Sequence, residues 1–156
     1  MHIRLIAVGD RQPSWVDDAV DSYARRLPHQ WKFRLTTIAT AQRSKGKDAT
    51  AAVDAEGQRV LDSLKTDEQV VVLDERGTQV SSTGLAEKLS SWQSSGRDLS
   101  FVIGGPDGVS ATVTGRADFR WALSKLTLPH GLARVMFVEQ LYRAWTVSTG
   151  HPYHRA

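Results

Sequence analysis

The chain contains no cysteine. This absence excludes disulfide bonds, metal sites built from thiolates, and a cysteine nucleophile. The sequence also lacks any apolar run close to the roughly 18 residues that span a membrane, and its first residues do not form a charged segment followed by an apolar stretch and a cleavage site. We therefore expect a cytoplasmic protein without a membrane partner.

The excess of one sign of charge over the other is also small, because the net charge at pH 7 is only +3. The balance shifts in residues 109–156, where only Asp118 and Glu139 oppose the basic residues Arg116, Arg120, Lys125, Arg134, Arg143 and Arg155. Three histidines, at positions 130, 151 and 154, lie in the same part of the chain. This part can present a face that attracts anions, but scattered solvated charge explains the same composition.

Motifs for two common chemistries are missing. His151 and His154 lie close together in sequence, yet no compact set of carboxylates joins them, so we expect no metal site. No G-x-S-x-G stretch is present, which makes hydrolysis by a Ser/His/Asp triad the weaker prediction.

A length of 156 residues suits one domain with a core of its own. Alternating or β-branched runs predict strands over residues 2–8, 32–38, 69–73, 99–103 and 118–123. Apolar residues at helical spacing predict helices over 14–27, 49–64, 83–92 and 131–149, the first of them capped by Ser14 and stopped by Pro28. This alternation predicts an α/β fold with a mostly parallel sheet and helices on both faces.

The stretch LSFVIGGPDG at 99–108 is a short apolar run that ends in three glycines and a proline. It predicts a buried parallel strand followed by a loop and a helix, which is where open α/β sheets bind ligands. Ile103 stands where a dinucleotide-binding G-x-G-x-x-G motif needs glycine, and the lysine of a Walker loop is missing before Ser110. The remaining interpretation is a pocket lined by backbone groups, suited to a flat ligand such as an adenine ring.

Two other segments leave alternatives open. The polar and basic segment 41–48 is either a flexible surface loop or a loop that contacts phosphates. The last predicted helix carries apolar residues over about half of its circumference, and Leu132, Met136 and Val147 interrupt its other side. Such a helix is either buried at a subunit interface or the central core helix of a monomer.

Several motifs, taken in their order along the chain, resemble those of one family. They are the opening HIRLIAVGD, the Pro-x-Trp at 13–15, VVVLDERG, LSFVIGGPDG, LSKLTLPH, the helix RVMFVEQLYRAW and the closing HPYHR. Over its whole length the chain resembles the ribosomal RNA large subunit methyltransferase H family, the 23S rRNA pseudouridine N3-methyltransferases.

The resemblance implies one SPOUT methyltransferase domain over residues 1–156 with a C-terminal trefoil knot, although knots are rare in proteins. It also implies a homodimer and S-adenosylmethionine as the cofactor. The residues at the matching cofactor positions are Leu73, Gly104, Gly105, Leu123, Ser124, Lys125, Leu126, Thr127 and Leu128. Gly131 stands where some relatives have proline, and either residue can open a helix.

The resemblance also implies where the chemistry lies. The N3 atom of pseudouridine must lose a proton before it attacks a methyl group, so the site needs a proton acceptor and a group that stabilises the anionic base. Arg155 suits the anion, and Tyr153 can stack on or hydrogen-bond the nucleotide. His130, His154 and Glu139 are the candidate acceptors, although His130, at the start of the last helix, can instead be a helix cap.

Two other functions stay open. One is a non-catalytic ribosome-binding or assembly protein that uses the basic C-terminal third, and the other is a SPOUT methyltransferase that acts on tRNA. A net charge of +3 is small for holding long RNA through its phosphates, which favours a dimer and a pre-shaped target such as the large subunit or the whole ribosome. We further expect a composite active site, in which one subunit holds the cofactor and the other supplies RNA-binding surface.

Overall fold

The computed structural model describes residues 1–9, 11–46 and 48–154. Its strands are β1 (Ile3–Val8), β2 (Arg34–Ile38), β3 (Gln69–Gln79), β4 (Leu99–Ile103) and β5 (Phe119–Ala122). Its helices are α1 (Ser14–Ala24), α2 (Thr50–Ser63), α3 (Ser82–Ser94), α4 (Ala111–Arg116) and α5 (His130–Thr149), and a 3₁₀ turn at His29–Trp31 precedes β2.

The described strands form one five-stranded parallel sheet in the order β2-β1-β4-β3-β5. The sequences of β1 and β4 are almost continuously apolar because both strands lie inside the sheet and are buried on both faces. The predicted α/β fold with a parallel sheet is therefore confirmed.

Helices cover both faces of this sheet, as predicted. Successive side chains of a strand point to opposite faces, so Leu5 and Phe101 contribute to one core and Ile6 to the other. The first core is completed by α1, α3 and α5, and the second by Val60 of α2 and Val113 of α4.

The helix α5 packs against both α1 and α3. It buries Phe137, Val138 and Leu141 in the first core. On its outer side Leu132 is 41% exposed and Met136 is 36% exposed. The helix is thus a core element within one chain and also leaves a strip of apolar surface uncovered.

The prediction that the third strand stops after Leu73 is wrong, because β3 continues to Gln79. Turn-forming residue types at 74–77 led to that expectation. In the structure the strand shifts its register against β5 at this point and goes on pairing. A Cβ on Gly77 would lie 2.6 Å from the carbonyl oxygen of Arg120, so the glycine permits the close approach of β5 and does not end the strand.

The predicted N-cap and the predicted C-terminal end of the first helix are also wrong. Pro13 occupies the N-cap position and Ser14 is already helical, so its side chain makes no capping hydrogen bond. The helix ends at Ala24, before Pro28, because the backbone N–H groups at 26 and 27 turn to carbonyls three residues back. The helix expected after the glycine loop is present as α4, so that prediction is confirmed.

The trefoil knot and the extent of one domain over residues 1–156 stay predictions. None of the helices described is long and apolar enough to cross a membrane. Within residues 1–9, 11–46 and 48–154, no group of three or more His, Cys, Asp or Glu side chains could hold a metal ion.

Candidate active site

A cavity of about 1000 Å³ opens beside the carboxyl ends of β4 and β5 and along the later half of β3. This is the edge of a parallel sheet where ligands bind. Residues 73–76, 103–109, 120–121, 123–124 and 126–130 form most of its lining. The predicted cofactor residues that line it are Leu73, Gly104, Gly105, Leu123, Ser124, Leu126, Thr127 and Leu128. The structure does not bring Lys125 to the cavity, and its side chain is exposed.

The glycine loop, residues 104–108, forms one wall of this cavity mainly with its backbone. The N–H of Gly108 donates to the carbonyl oxygen of Gly105 at 3.1 Å and closes the loop. A Cβ on Gly104 would lie 2.7 Å from the carbonyl group of Gly108, so this closure requires glycine. The wall therefore presents backbone N–H and C=O groups to a ligand.

His130, the first residue of α5, is held by hydrogen bonds at both ring nitrogens. Its Nδ1 donates to the carbonyl oxygen of Gly104 at 2.8 Å, and its Nε2 accepts from Nε of Arg134 at 2.8 Å. A guanidinium can only donate, so Nδ1 carries the proton. The buried Arg134 also donates to the carbonyl oxygen of Gly9, at the end of β1. The ring thus joins α5 to the glycine loop, and no side chain caps α5, whose N-cap residue is Pro129.

This environment lowers the pKa of His130 below its ordinary value. Burial disfavours the charged imidazolium, and the positive charge of Arg134 adds to that effect, while the hydrogen bond to Gly104 acts in the opposite direction. The ring is therefore neutral at neutral pH and its lone pair is already engaged. This geometry suits a residue that holds a loop better than one that accepts a proton.

Charged side chains of β3 and β5 also line the cavity. Arg120 donates to Asp74 at 2.6 Å, and the hydroxyl of Thr127 donates to Glu75 at 3.3 Å. Burial pushes the pKa of Asp74 upward, but hydrogen bonds from Arg120 and from the backbone N–H of Arg76 outweigh it, so this pKa lies below its usual range. These contacts tie segment 123–128 and β5 to the extension of β3.

Two of the other predicted catalytic residues, Glu139 and Tyr153, meet at a second place, on the later half of α5. Tyr153 donates its hydroxyl proton to Oε1 of Glu139 at 3.0 Å. Glu139 also accepts from Nε of Arg143 at 3.0 Å and from Nε2 of Gln140 at 2.8 Å. Burial, together with hydrogen bonds to Tyr23 and Glu139, raises the pKa of the Tyr153 phenol. The tail therefore folds back onto α5.

His154 follows in this tail, and its Nδ1 is buried without a hydrogen-bond partner in the part of the chain that the structure describes. A buried polar atom of this kind calls for an explanation, such as a partner on another molecule. Arg155 lies outside the described residues. The groups at 139, 153 and 154 do not line the cavity. The rise along α5 from position 130 to position 139 is about 13 Å at ~1.5 Å per residue. The cavity, where His130 lies, and the residues at 139, 153 and 154 are therefore separate within one chain.

Sequence reasoning missed Arg134 as part of the site. It interrupts the apolar stretch of α5 and lies four residues after His130, which places both side chains on one helix face. A charged residue on the buried side of a helix was the available signal. The pair of Asp74 and Arg120 was missed because it depends on the extension of β3.

Known proteins match this chain over its full length. A family profile described as "Predicted SPOUT methyltransferase" matches residues 1–154. The chain is 49% identical over 156 residues to the ribosomal RNA large subunit methyltransferase H of Alkalilimnicola ehrlichii, which covers 100% of both chains. It is 46% identical over 155 residues to the protein of that name from Coxiella burnetii, covering 99% of this chain and 100% of the relative. The chain belongs to the SPOUT methyltransferase family.

Solved structures agree with this membership at the level of the fold. This SPOUT methyltransferase is similar to a methylase family protein from Neisseria gonorrhoeae with a TM-score of 0.60 and 14% identity, over 99% of this chain and 88% of the other. A second methylase family protein, from Haemophilus influenzae, gives a TM-score of 0.56 at 12% identity, over 99% of this chain and 70% of the other. The predicted methyltransferase activity is confirmed by the family, and the chain is an enzyme of that class.

Proposed function

We propose that this SPOUT methyltransferase transfers the methyl group of S-adenosylmethionine to N3 of a pseudouridine in 23S rRNA. The observation that carries the proposal is that predicted cofactor segments, far apart in sequence, line one cavity. The names of the relatives support ribosomal RNA of the large subunit as the substrate. An enzyme that modifies ribosomes acts where ribosomes are found, so the proposed substrate also supports a cytoplasmic location.

The cavity suits this cofactor in size and chemistry. Ligand pockets measure about 300–1,000 Å³ and combine apolar walls with a few placed polar groups. Leu73 and Leu128 supply apolar surface, Gly104 and Gly105 supply backbone groups, and Ser124 supplies a hydroxyl. S-adenosylmethionine provides a methyl group on a positively charged sulfur.

We propose His154 as the residue that accepts the proton from N3 of pseudouridine. Its Nδ1 has no partner among the described residues, whereas both nitrogens of His130 are engaged and Glu139 already accepts from three side chains. Imidazole is the side chain whose ordinary titration range lies nearest neutral pH. Once N3 has lost its proton to His154, directly or through water, its lone pair can bond to the methyl carbon while the carbon–sulfur bond breaks and its electron pair passes to sulfur.

The neighbours of His154 complete this assignment. Arg155 is the group we propose for stabilising the anionic base, because a guanidinium makes strong charge-assisted hydrogen bonds. Tyr153 is proposed to contact the nucleotide with its ring, and Glu139 orients that ring through the hydrogen bond at 3.0 Å.

The enzyme is proposed to act as a homodimer with a composite site. Two observations support this. Glu139, Tyr153 and His154, which we call the tail cluster, do not line the cavity of their own chain, and α5 leaves Leu132 and Met136 exposed. A second subunit that covers this strip would bury apolar surface, and its tail would supply the groups that the cavity lacks. The low net charge of +3 further supports a large, pre-shaped target such as the large subunit or the whole ribosome.

The test uses ribosomes from cells that lack this protein, incubated with the protein and labelled S-adenosylmethionine. Mass mapping of the 23S rRNA is expected to find one added methyl group on a single pseudouridine. Label in tRNA alone would overturn the ribosomal substrate, and ribosome binding without any label would point to an assembly protein. Free rRNA, isolated large subunits and whole ribosomes, assayed in parallel, identify the form of the substrate.

A further inference from the structure

Arg43 links its own segment, 41–48, to α2 and to the glycine loop. It lies in the basic segment 41–48, whose role the sequence left open. Its Nη2 donates to Oε1 of Glu56 at 3.2 Å, and its Nη1 donates to the other oxygen of that carboxylate and to the carbonyl oxygen of Ala41, the latter at 2.9 Å. Its Nε and Nη2 donate to Oδ2 of Asp107 at 3.2 and 3.0 Å. All three guanidinium nitrogens are therefore engaged.

The anchor of this arrangement is Glu56 on α2, which is only 2% exposed. Its carboxylate also accepts the backbone N–H of Ala41 at 2.9 Å. A buried carboxylate is stable only when it is paired and hydrogen-bonded, so Glu56 fixes the guanidinium of Arg43 in one orientation. The glycine loop packs directly on this carboxylate, since a Cβ on Gly105 would lie 3.0 Å from Oε1 of Glu56.

The other end of the arrangement is Asp107, at the tip of the glycine loop. Its side chain is about half exposed and it lines the cavity, whereas Arg43 does not. Gly108 follows it with a φ of +87°, a left-handed conformation that glycine adopts easily. The contact to Arg43 is thus a side-chain restraint on the loop tip, separate from the hydrogen bond of His130 at Gly104.

We infer that Arg43 is a positioning residue: anchored by Glu56, it holds Asp107 and keeps the glycine loop in the shape that binds the cofactor. The inference rests on the proposed function, because that loop is the proposed cofactor wall. A loop held in its bound shape loses less conformational entropy on binding, so affinity rises without a new contact to the ligand. Lysine cannot replace Arg43, because a single ammonium lacks the planar fork that reaches Glu56 and Asp107 together.

The experiment measures the binding of S-adenosylhomocysteine, the product form of the proposed cofactor, by calorimetry. Asp107→Ala and Arg43→Lys are each expected to weaken binding roughly three- to tenfold, the range for a partly exposed charge-assisted contact. The double variant should bind no more weakly than the weaker single variant, because Asp107 acts on the loop only through its contact with Arg43, which Arg43→Lys has already broken. Asp107→Glu, which keeps the carboxylate, should recover most of the affinity, and Asp54→Ala, on the exposed face of α2, is the matched control.

The outcomes separate this inference from the proposed function. If the native protein does not bind S-adenosylhomocysteine, the proposed cofactor is wrong. If the native protein binds it and Asp107→Ala binds equally well, only the role of Arg43 is overturned. Additive losses in the double variant would also overturn it, since Asp107 would then contact the ligand by itself. The thermal midpoint of ligand-free Asp107→Ala should stay near that of the native protein, which distinguishes positioning from general destabilisation.

Discussion

The Nδ1 of His130 and the carbonyl oxygen of Gly104 lie 2.8 Å apart, and this hydrogen bond fixes the start of α5 to the glycine loop. Through Arg134 the same link reaches the end of β1 at Gly9. The proposed cofactor wall is therefore held from two directions, at Gly104 by His130 and at Asp107 by Arg43. A helix that also carries the tail cluster thus positions the cavity wall.

Acid pH is expected to break the link at His130. Because folding lowers the pKa of His130, its neutral form contributes stability that is fully present above the unfolded value of about 6.5. That contribution is lost as the pH falls from there through the folded pKa, since a protonated Nε2 cannot accept from Arg134. The native protein should lose free energy of unfolding in this window relative to His130→Asn, whose amide can still donate to Gly104 but does not titrate. Urea unfolding across the pH range measures both, and parallel curves would contradict the role of His130.

Much of the fold follows from local sequence pattern. The strand β4 could be predicted from its apolar run, which only Ser100 interrupts, because a strand buried on both faces needs no polar side. The extension of β3 through 74–79 could not, because its turn-forming residues become a strand only by pairing with β5, which is distant in sequence. The local preference of these residues for a turn conflicts with their pairing to β5, and the pairing determines the structure.

The site divides in the same way. The glycine loop follows a predicted buried strand, so the sequence pattern could place it at the carboxyl edge of the sheet. Segment 123–128 is assigned to the cofactor only through the family resemblance. The contacts of Arg43 and Arg134 could not be predicted, because each depends on the meeting of separate chain segments. The sequence shows Arg43 only as part of a basic segment and Arg134 only as a charged residue on the apolar side of a helix.

The exposed strip on α5 leads to a prediction about assembly. Leu132→Glu combined with Met136→Glu places two charges on the proposed subunit interface, where unpaired charge is strongly disfavoured. We expect sedimentation to show a monomer, with methyl transfer lost and S-adenosylhomocysteine binding retained. Ala51→Glu with Ala55→Glu repeats the same spacing on the exposed face of α2 and should remain a dimer. A dimeric Leu132→Glu/Met136→Glu protein would show that this strip is not the interface.

The tail should be needed for chemistry and not for cofactor binding. His154→Ala is expected to lower the rate of methyl transfer about 100-fold or more, the typical contribution of a general base. Deletion of 151–156 should abolish transfer, while calorimetry with S-adenosylhomocysteine should change little, because the described tail residues do not line the cavity. His29→Ala, an exposed histidine before β2, is the control. Methyl transfer by the truncated protein at the native rate would remove the tail from the site.

Mixed dimers test whether the tail acts across the subunit boundary. Thr127→Trp places a bulky ring in the cavity at an exposed position, and His154→Ala disables the proposed acceptor, so neither variant alone should transfer methyl groups well. In a composite site, a dimer with one subunit of each kind keeps one intact pairing of native cavity and native tail. Equal mixing after exchange of subunits should then recover about a quarter of the native activity, since half of the dimers are mixed and each has one good site. If each subunit works alone, every site in every dimer carries a defect, and mixing recovers nothing.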